Sequence, residues 1–190
     1  SKEFRNSQGK IIGHVGSPID ITERKQAEIE AQHQAQRSQA LLQITSRLNA
    51  ELEPEKVKQI ICGETCSALH VTMSAYLTYD KHGQALQLAA SIGTPEELAR
   101  GLTSLGWNEL YPLIEQQGSV GVVPNTAGTQ TFQLAQVMVN HGINWSAYAL
   151  VERDGVPLGV LLAGDDDMTD NVEDSLNLLA GIANHAASAL

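Results

Sequence analysis

Residues 145–163 read WSAYALVERDGVPLGVLLA. Two apolar runs, Trp145–Arg153 and Val156–Ala163, flank Asp154-Gly155, a dipeptide suited to the tight turn of a two-residue β-hairpin. This is the clearest hairpin in the chain. A second runs from Ser74–Asp80 through Lys81-His82-Gly83-Gln84 to Ala85–Ser91, and Ser119–Pro124 adds a short strand. Residues 1–22 read as a third hairpin, with strands Lys2–Asn6 and Ile11–Thr22 about a turn at residues 7–10. Alone, such a hairpin is marginally stable.

Helical patterns stand at both ends of these strands. From Glu23 to about Glu51 there is neither Gly nor Pro, and Thr22 is placed to cap the helix that follows. Ala27, Ala31, Gln34, Ser38, Leu41, Thr45, Leu48 and Leu52 keep a four-three spacing, a coiled-coil stripe that is small or polar first and apolar later. Pro54 opens another helix, carrying Val57, Ile60, Ile61, Ala68 and Leu69 towards His70. Residues 92–118 mix Gly, Pro and short amphipathic pieces such as Asn108–Gln117, and Phe132–His141 reads as a helix stopped by Gly142. Asn171–Leu190 closes the chain as a helix with Val172, Leu176, Leu179, Ala183, Ala186 and Leu190 at four-three spacing. Terminal helices around antiparallel hairpins predict an α+β sandwich.

The composition narrows the function. With 190 residues there is room for one sizeable core, or one domain and a fragment. A net charge of −10 argues against non-specific binding to nucleic acid or to anionic lipid. There is no apolar run long enough to span a bilayer and no signal peptide, so no membrane contact is expected of this segment. Two cysteines make no disulfide framework, and the expected compartment is cytoplasmic. Because Ser1 stands where a Met would begin a nascent chain, the sequence reads as part of a longer polypeptide.

The candidate chemical groups mostly have plain readings. Cys62 and Cys66 lie four apart on one helix, where Cβ atoms are about 5–6 Å apart, farther than a disulfide spans. With His70 they make a weak metal pattern, and buried or half-buried thiols are the expectation. Asp165-Asp166-Asp167 reads as a solvated loop before the last helix, with Thr169 or a neighbouring Asp near its cap, so no metal site is assigned. His141 is placed to interact with a helix C-terminus; the sharper reading makes it a pocket wall or haem ligand. Trp107, Tyr111, Phe132, Met138 and Tyr148 are the candidate lining of such a pocket, and equally candidates for core. None of the six histidines has the setting of a phospho-accepting kinase histidine, and there is no glycine-rich nucleotide loop.

Gly9-Lys10-Ile11-Ile12-Gly13, followed by Ile19-Asp20-Ile21-Thr22-Glu23-Arg24-Lys25, resembles the last strand and exit of a PAS domain, which passes directly into a signalling helix. Beyond it, the chain resembles a GAF domain. The stretches that carry this resemblance are Leu41–Thr45 with Leu48, Ala75-Tyr76-Leu77 with Leu86-Gln87-Leu88, Gly142–Ser146, Gly155–Leu161, and Leu179-Ala180 ahead of Ala183, Ala186 and Ala187. The division implied is a PAS hairpin over 1–22, a linker helix over 23–40 and a GAF domain over 41–190, within a bacterial multidomain sensor such as a histidine kinase.

The resemblance implies a central antiparallel sheet with the terminal helices on one face and a small-molecule pocket on the other. It also implies a sensory module, not an enzyme. Covalent bilin is not expected, because neither cysteine has a His neighbour and both fall early, on the second helix. The rival readings are a thiol-dependent methionine sulfoxide reductase of GAF fold and a ligand-free spacer. The expected partner is a second copy, joined through Leu41, Leu48 and Leu52 of the first helix and Val172, Leu176, Leu179, Ala183 and Ala186 of the last.

Overall fold

Asp154 and Gly155 both adopt positive φ, 54° and 74°. That is the geometry a two-residue hairpin turn demands, because only such a turn matches the twist of its flanking strands. The hairpin it closes pairs β6 (Trp145–Arg153) with β7 (Val156–Asp165). The computed structural model describes residues 2–5, 7–15, 22–50, 53–80, 85–103, 106–123, 135–167 and 171–190, and gives the backbone alone for 2–5, 11–15, 22–23, 45–50 and 135–136.

The chain divides into two compact units, residues 1–38 and 39–190. In the first, β1 (Lys2–Arg5) pairs antiparallel with β2 (Ile11–Val15), Lys2 opposite Val15. The second strand, expected to reach Thr22, ends at Val15, and residues 16–21 lie outside the described part. Thr22 is the first residue of helix α1 (Thr22–Ala50), inside it instead of capping it from outside. Within the first unit, Ala27, Ala31, Gln34 and Ser38 of α1 are exposed, and the Ser38 hydroxyl donates back to the Gln34 carbonyl at 3.0 Å.

The second unit is built on a five-stranded antiparallel sheet in the order β4-β3-β7-β6-β5, where β3 is Met73–Asp80, β4 Ala85–Ile92 and β5 Val120–Val123. One face carries α2 (Pro54–Leu69), α6 (Val172–Ala189) and Ile44 of α1. Five helical side chains, Val57, Ile61, Leu179, Ile182 and Ala186, are buried there over Tyr76, Ala147, Ala149, Leu161 and Ala163. The opposite face carries α3 (Glu96–Thr103), α4 (Trp107–Gln117) and α5 (Ala135–Asn140) over Met73, Ala75, Leu77, Tyr148, Val160 and Leu162. The α+β class and the placement of both terminal helices on one face are as the sequence predicts.

Alternation sends successive side chains to opposite faces, so an unpaired residue reverses the phase. Ala89 is such a residue: Tyr76 faces Ala90 across the ladder, while Leu77 faces Leu88. Leu86 and Leu88 therefore join the α3–α5 layer, and Ala90 and Ile92 the α2–α6 layer. Leu158 does the same in β7, between the pairs Val151–Gly159 and Glu152–Pro157.

The helix ends follow local chemistry. Asn171, not Thr169 or an aspartate, caps α6, because its amide oxygen reaches the Asp174 N–H at 3.2 Å. α2 begins on Pro54 without a side-chain cap and ends at His70, which is in the left-handed region at φ 55°.

Gly159 allows the closest strand approach. A side chain there would begin 2.2 Å from the Leu77 carbonyl oxygen and 2.8 Å from the Tyr76 hydroxyl. Gly63, inside α2, has only the tip of Ile92 at 3.5 Å. Gly159→Ala is expected to lower unfolding stability by about 1–3 kcal/mol through overpacking, whereas Gly63→Ala should raise it by about 0.5–1 kcal/mol through helix propensity. Urea denaturation of the two variants checks both signs; a neutral Gly159→Ala would show that the β3–β7 spacing is not as tight as described.

Candidate functional site

The face covered by α3, α4 and α5 holds three of the six predicted pocket residues, Trp107, Met138 and Tyr148. Leu98 and Leu102 of α3, Leu110 and Leu113 of α4 and Met138 of α5 are all essentially without solvent exposure over β3, β6 and β7. The sequence reading left out these leucines, although their three- and four-residue spacings mark them as inward faces of short helices.

α4 is fixed at both ends. At its start, Trp107 lies against Tyr79 of β3 with ring centroids 4.7 Å apart and planes tilted by 50°. Gly106 donates its N–H to the Glu109 carboxylate at 3.2 Å and forms an isolated bridge with Ala85. At its end, the Tyr148 hydroxyl lies 3.0 Å from the Leu113 carbonyl and 2.9 Å from that of Gly118, the residue that follows the helix. The Gln117 amide then copies a strand, donating to the Val122 carbonyl at 3.0 Å and accepting the Val122 N–H at 2.9 Å. Gly121 leaves room for it, since any side chain there would meet the Gln117 amide oxygen at 2.4 Å.

The predicted lining residues therefore have distinct placements. Tyr148 and Met138 are fully buried, Met138 accepting a hydrogen bond from the Ser146 hydroxyl at 3.6 Å. Trp107 is half-buried at the margin. Tyr111 is 46% exposed and lies on the outer side of α4, because α4 turns Leu110 and Leu113 inward. Phe132 lies outside the described residues. His141 follows α5, with Gly142 at φ 77° beyond it, and its imidazole Nε2 is 3.1 Å from a Glu97 carboxylate oxygen of α3. It stands at the surface in the turn after α5, in contact with α3.

Both cysteines lie on α2, on the opposite face. Cys62 is buried, and loss of solvation pushes its thiol from 9.0 up to about 12; Cys66 is half-buried and is also raised, by desolvation and by the Asp165 carboxylate. Both therefore stay protonated near neutrality, the reverse of an activated thiol. Asp165 accepts a hydrogen bond from the Thr72 hydroxyl at 3.0 Å, and among the described residues no three His, Cys, Asp or Glu side chains converge as metal ligands.

The predicted dimer residues also separate. Leu179, Ala183 and Ala186 are buried against their own sheet, so they are not available to a second chain; Val172 and Leu176 are half-buried. The stripe at four-three spacing in α6 is the one that covers the sheet, which is why it looks like a seam in the sequence. Leu41 is half-buried, the side chain of Leu48 is not described, and Leu52 lies outside the described residues. No described helix is long and apolar enough to cross a membrane.

A single antiparallel sheet between α2 with α6 on one side and α3–α5 on the other matches known structures closely in three dimensions. The GAF domain of a phosphoenolpyruvate-protein phosphotransferase from Acinetobacter superposes with a TM-score of 0.65 at 19% identity, over 81% of this chain and 92% of that one. The fold is that of a GAF domain. A free methionine-R-sulfoxide reductase from Neisseria meningitidis, in complex with its substrate, gives 0.66 at 16% identity over 82% and 88%. A domain assigned to a two-component sensor histidine kinase of Sinorhizobium meliloti gives 0.57 at 16% over 73% and 90%. No protein-family model matches the chain, and no curated protein matches it in sequence.

Two outcomes follow for this GAF fold. Tyr148→Phe removes the single hydroxyl proton shared between the Leu113 and Gly118 carbonyls and is expected to cost about 1–2 kcal/mol of stability, read from the urea midpoint. Burial also holds the Tyr148 phenol protonated to about 12, against 10.0 ordinarily. In the unfolded chain these thiol and phenol groups ionise earlier, so their contribution is complete below pH 9 and is lost as pH rises towards 12. The wild-type midpoint should fall between pH 8 and 10.5, and Cys62→Ala should show a shallower fall; an equal fall would remove Cys62 from the account.

Proposed function

We propose that this chain is a sensory or relay segment of a larger signal-transduction protein. The observation that carries the reading is the division of labour across the sheet. The helices at the two ends of the domain, α2 and α6, cover one face, together with Ile44 of α1. The short helices α3, α4 and α5 cover the other. A small molecule or partner that displaced α3–α5 would act on the same sheet that supports the terminal helices, and so would shift populations at α1.

The fold shared with a GAF domain of a phosphotransferase and with a domain of a sensor histidine kinase supports this reading. On it, the β1–β2 hairpin is the exit of a PAS domain, α1 is the linker, a second copy pairs through α1, and the output is a histidine kinase outside this segment. The sulfoxide reductase reading ranks below it. A thiol mechanism needs an accessible thiolate, and Cys62 and Cys66 are both held protonated on the face away from α3–α5.

The test begins with a panel of small metabolites screened for an upward shift in melting temperature. For any binder, amide exchange is expected to slow in α3–α5 and to change in α1. Binding that protects α3–α5 and leaves α1 unchanged would contradict a relay. The purified segment, given labelled ATP, is expected to acquire no phosphate; autophosphorylation would overturn the assignment of kinase activity to a separate output domain.

A further inference from the structure

Adjacent leucines in α1 meet opposite surroundings. Leu41 is half-buried, and its terminal carbons lie 3.0 and 3.2 Å from where a side chain at Gly181 of α6 would begin. Ile44, three residues on, is 2% exposed in the domain core. Leu42 points elsewhere and is 70% exposed, more than any other large hydrophobic residue described. Residues on a helix that differ by one position are about 100° apart, so a helix seated on Leu41 and Ile44 cannot also seat Leu42.

We propose that the Leu42 flank of α1 is the face that a second copy of this chain covers, while Leu41 is the anchor of α1 on its own domain. The proposal rests on the pairing of copies through α1 put forward above, and it replaces Leu41 in that seam. What selects a second copy as the occupant is the distribution of charge. Residues 39–190 carry 17 acidic and 6 basic side chains, so two copies repel each other over most of their surface. Residues 38–46, Ser-Gln-Ala-Leu-Leu-Gln-Ile-Thr-Ser, carry no charged side chain at all, and residues 1–38 are nearly balanced, with 5 acidic and 6 basic. Like can meet like at Leu42 without bringing like charges together. The glutamines beside it, Gln39 and Gln43, are exposed, and an amide both donates and accepts, so each complements its own copy. Counted along the sequence, Leu42 continues a four-three row through Ser38, Ala35 and Ala31, which suits close helix approach.

Sedimentation velocity over a micromolar concentration series, with thermal unfolding of the same samples, separates the two leucines. Leu42→Glu is expected to weaken self-association by about a hundredfold or more, since each copy would put a carboxylate where a leucine is covered. Its melting temperature, measured where the wild type is already monomeric, should not change, because the side chain is exposed. Leu41→Ala is expected to lower that melting temperature while leaving association within a fewfold of wild type. If the wild type associates and Leu42→Glu does so equally well, the seam lies elsewhere and this assignment fails while pairing stands. A wild type that is monomeric at high micromolar concentration overturns pairing and seam together.

Discussion

The central strands β3, β7 and β6 are covered on both faces, which leaves their backbone N–H and C=O groups no water to bond. Every such group must find its partner in the plane of the sheet. β3 does so with β4 on one side and β7 on the other, and β6 with β7 and β5. Continuity of the ladder is the constraint to which the remainder conforms. Where the sequence departs from strict alternation, the ladder absorbs the surplus residue as a bulge at Ala89 or Leu158 and does not break. Each bulge reverses the phase of the side chains after it, so that in β4 Leu86 and Leu88 serve one layer and Ala90 and Ile92 the other.

Much of this was legible in the residues. Asp154-Gly155 announces its hairpin because few dipeptides satisfy positive φ at two successive positions. Pro54 and Gly142 mark helix ends for equally local reasons. The two-sided burial was harder to read, because β3 and β7 are apolar at nearly every position and a continuous apolar run does not say which residue faces which layer. Only the register reveals the phase change at Ala89. The α6 stripe misleads for a related reason: a helix lying on a sheet and a helix lying on another helix both repeat apolar residues at intervals of three and four. Of the pocket candidates, Tyr148 and Met138 were found in the interior. Tyr148 acts there as a hydrogen-bonding clamp on α4, a role that depends on carbonyls thirty or more residues away and leaves no mark in its neighbours in sequence.

The two faces differ in how they are held. α6 contributes the buried alanines Ala183, Ala186 and Ala187 to the cluster that holds Ala147 and Ala149 of β6. On the other face, α3 and α5 are short, and Glu97 of α3 meets His141, just beyond α5, in an exposed pair of modest strength. α4 is tied at both ends, by Tyr79 and Trp107 at one and by Tyr148 and Gln117 at the other. A layer that rearranges for small differences in free energy is what a ligand can bias. On the proposed relay, the layer of α2 and α6 would carry that bias to α1, whose Ile44 is buried in it. Leu41 against Gly181 and Ile44 in the core are the contacts through which the domain holds the helix, and Leu42 is the side chain that the proposed pairing would cover.

A nitroxide label at the exposed residue Gln39, in a Cys66→Ser chain that keeps only the buried Cys62, tests that arrangement directly by pulsed dipolar spectroscopy. Helices paired at about 8–10 Å between axes predict a short, narrow interchain distance at concentrations where the protein associates, lost on dilution with unlabelled chain. A protein that associates yet gives only long or broad distances at Gln39 would contradict the account, because α1 would then not lie between its own domain and its copy.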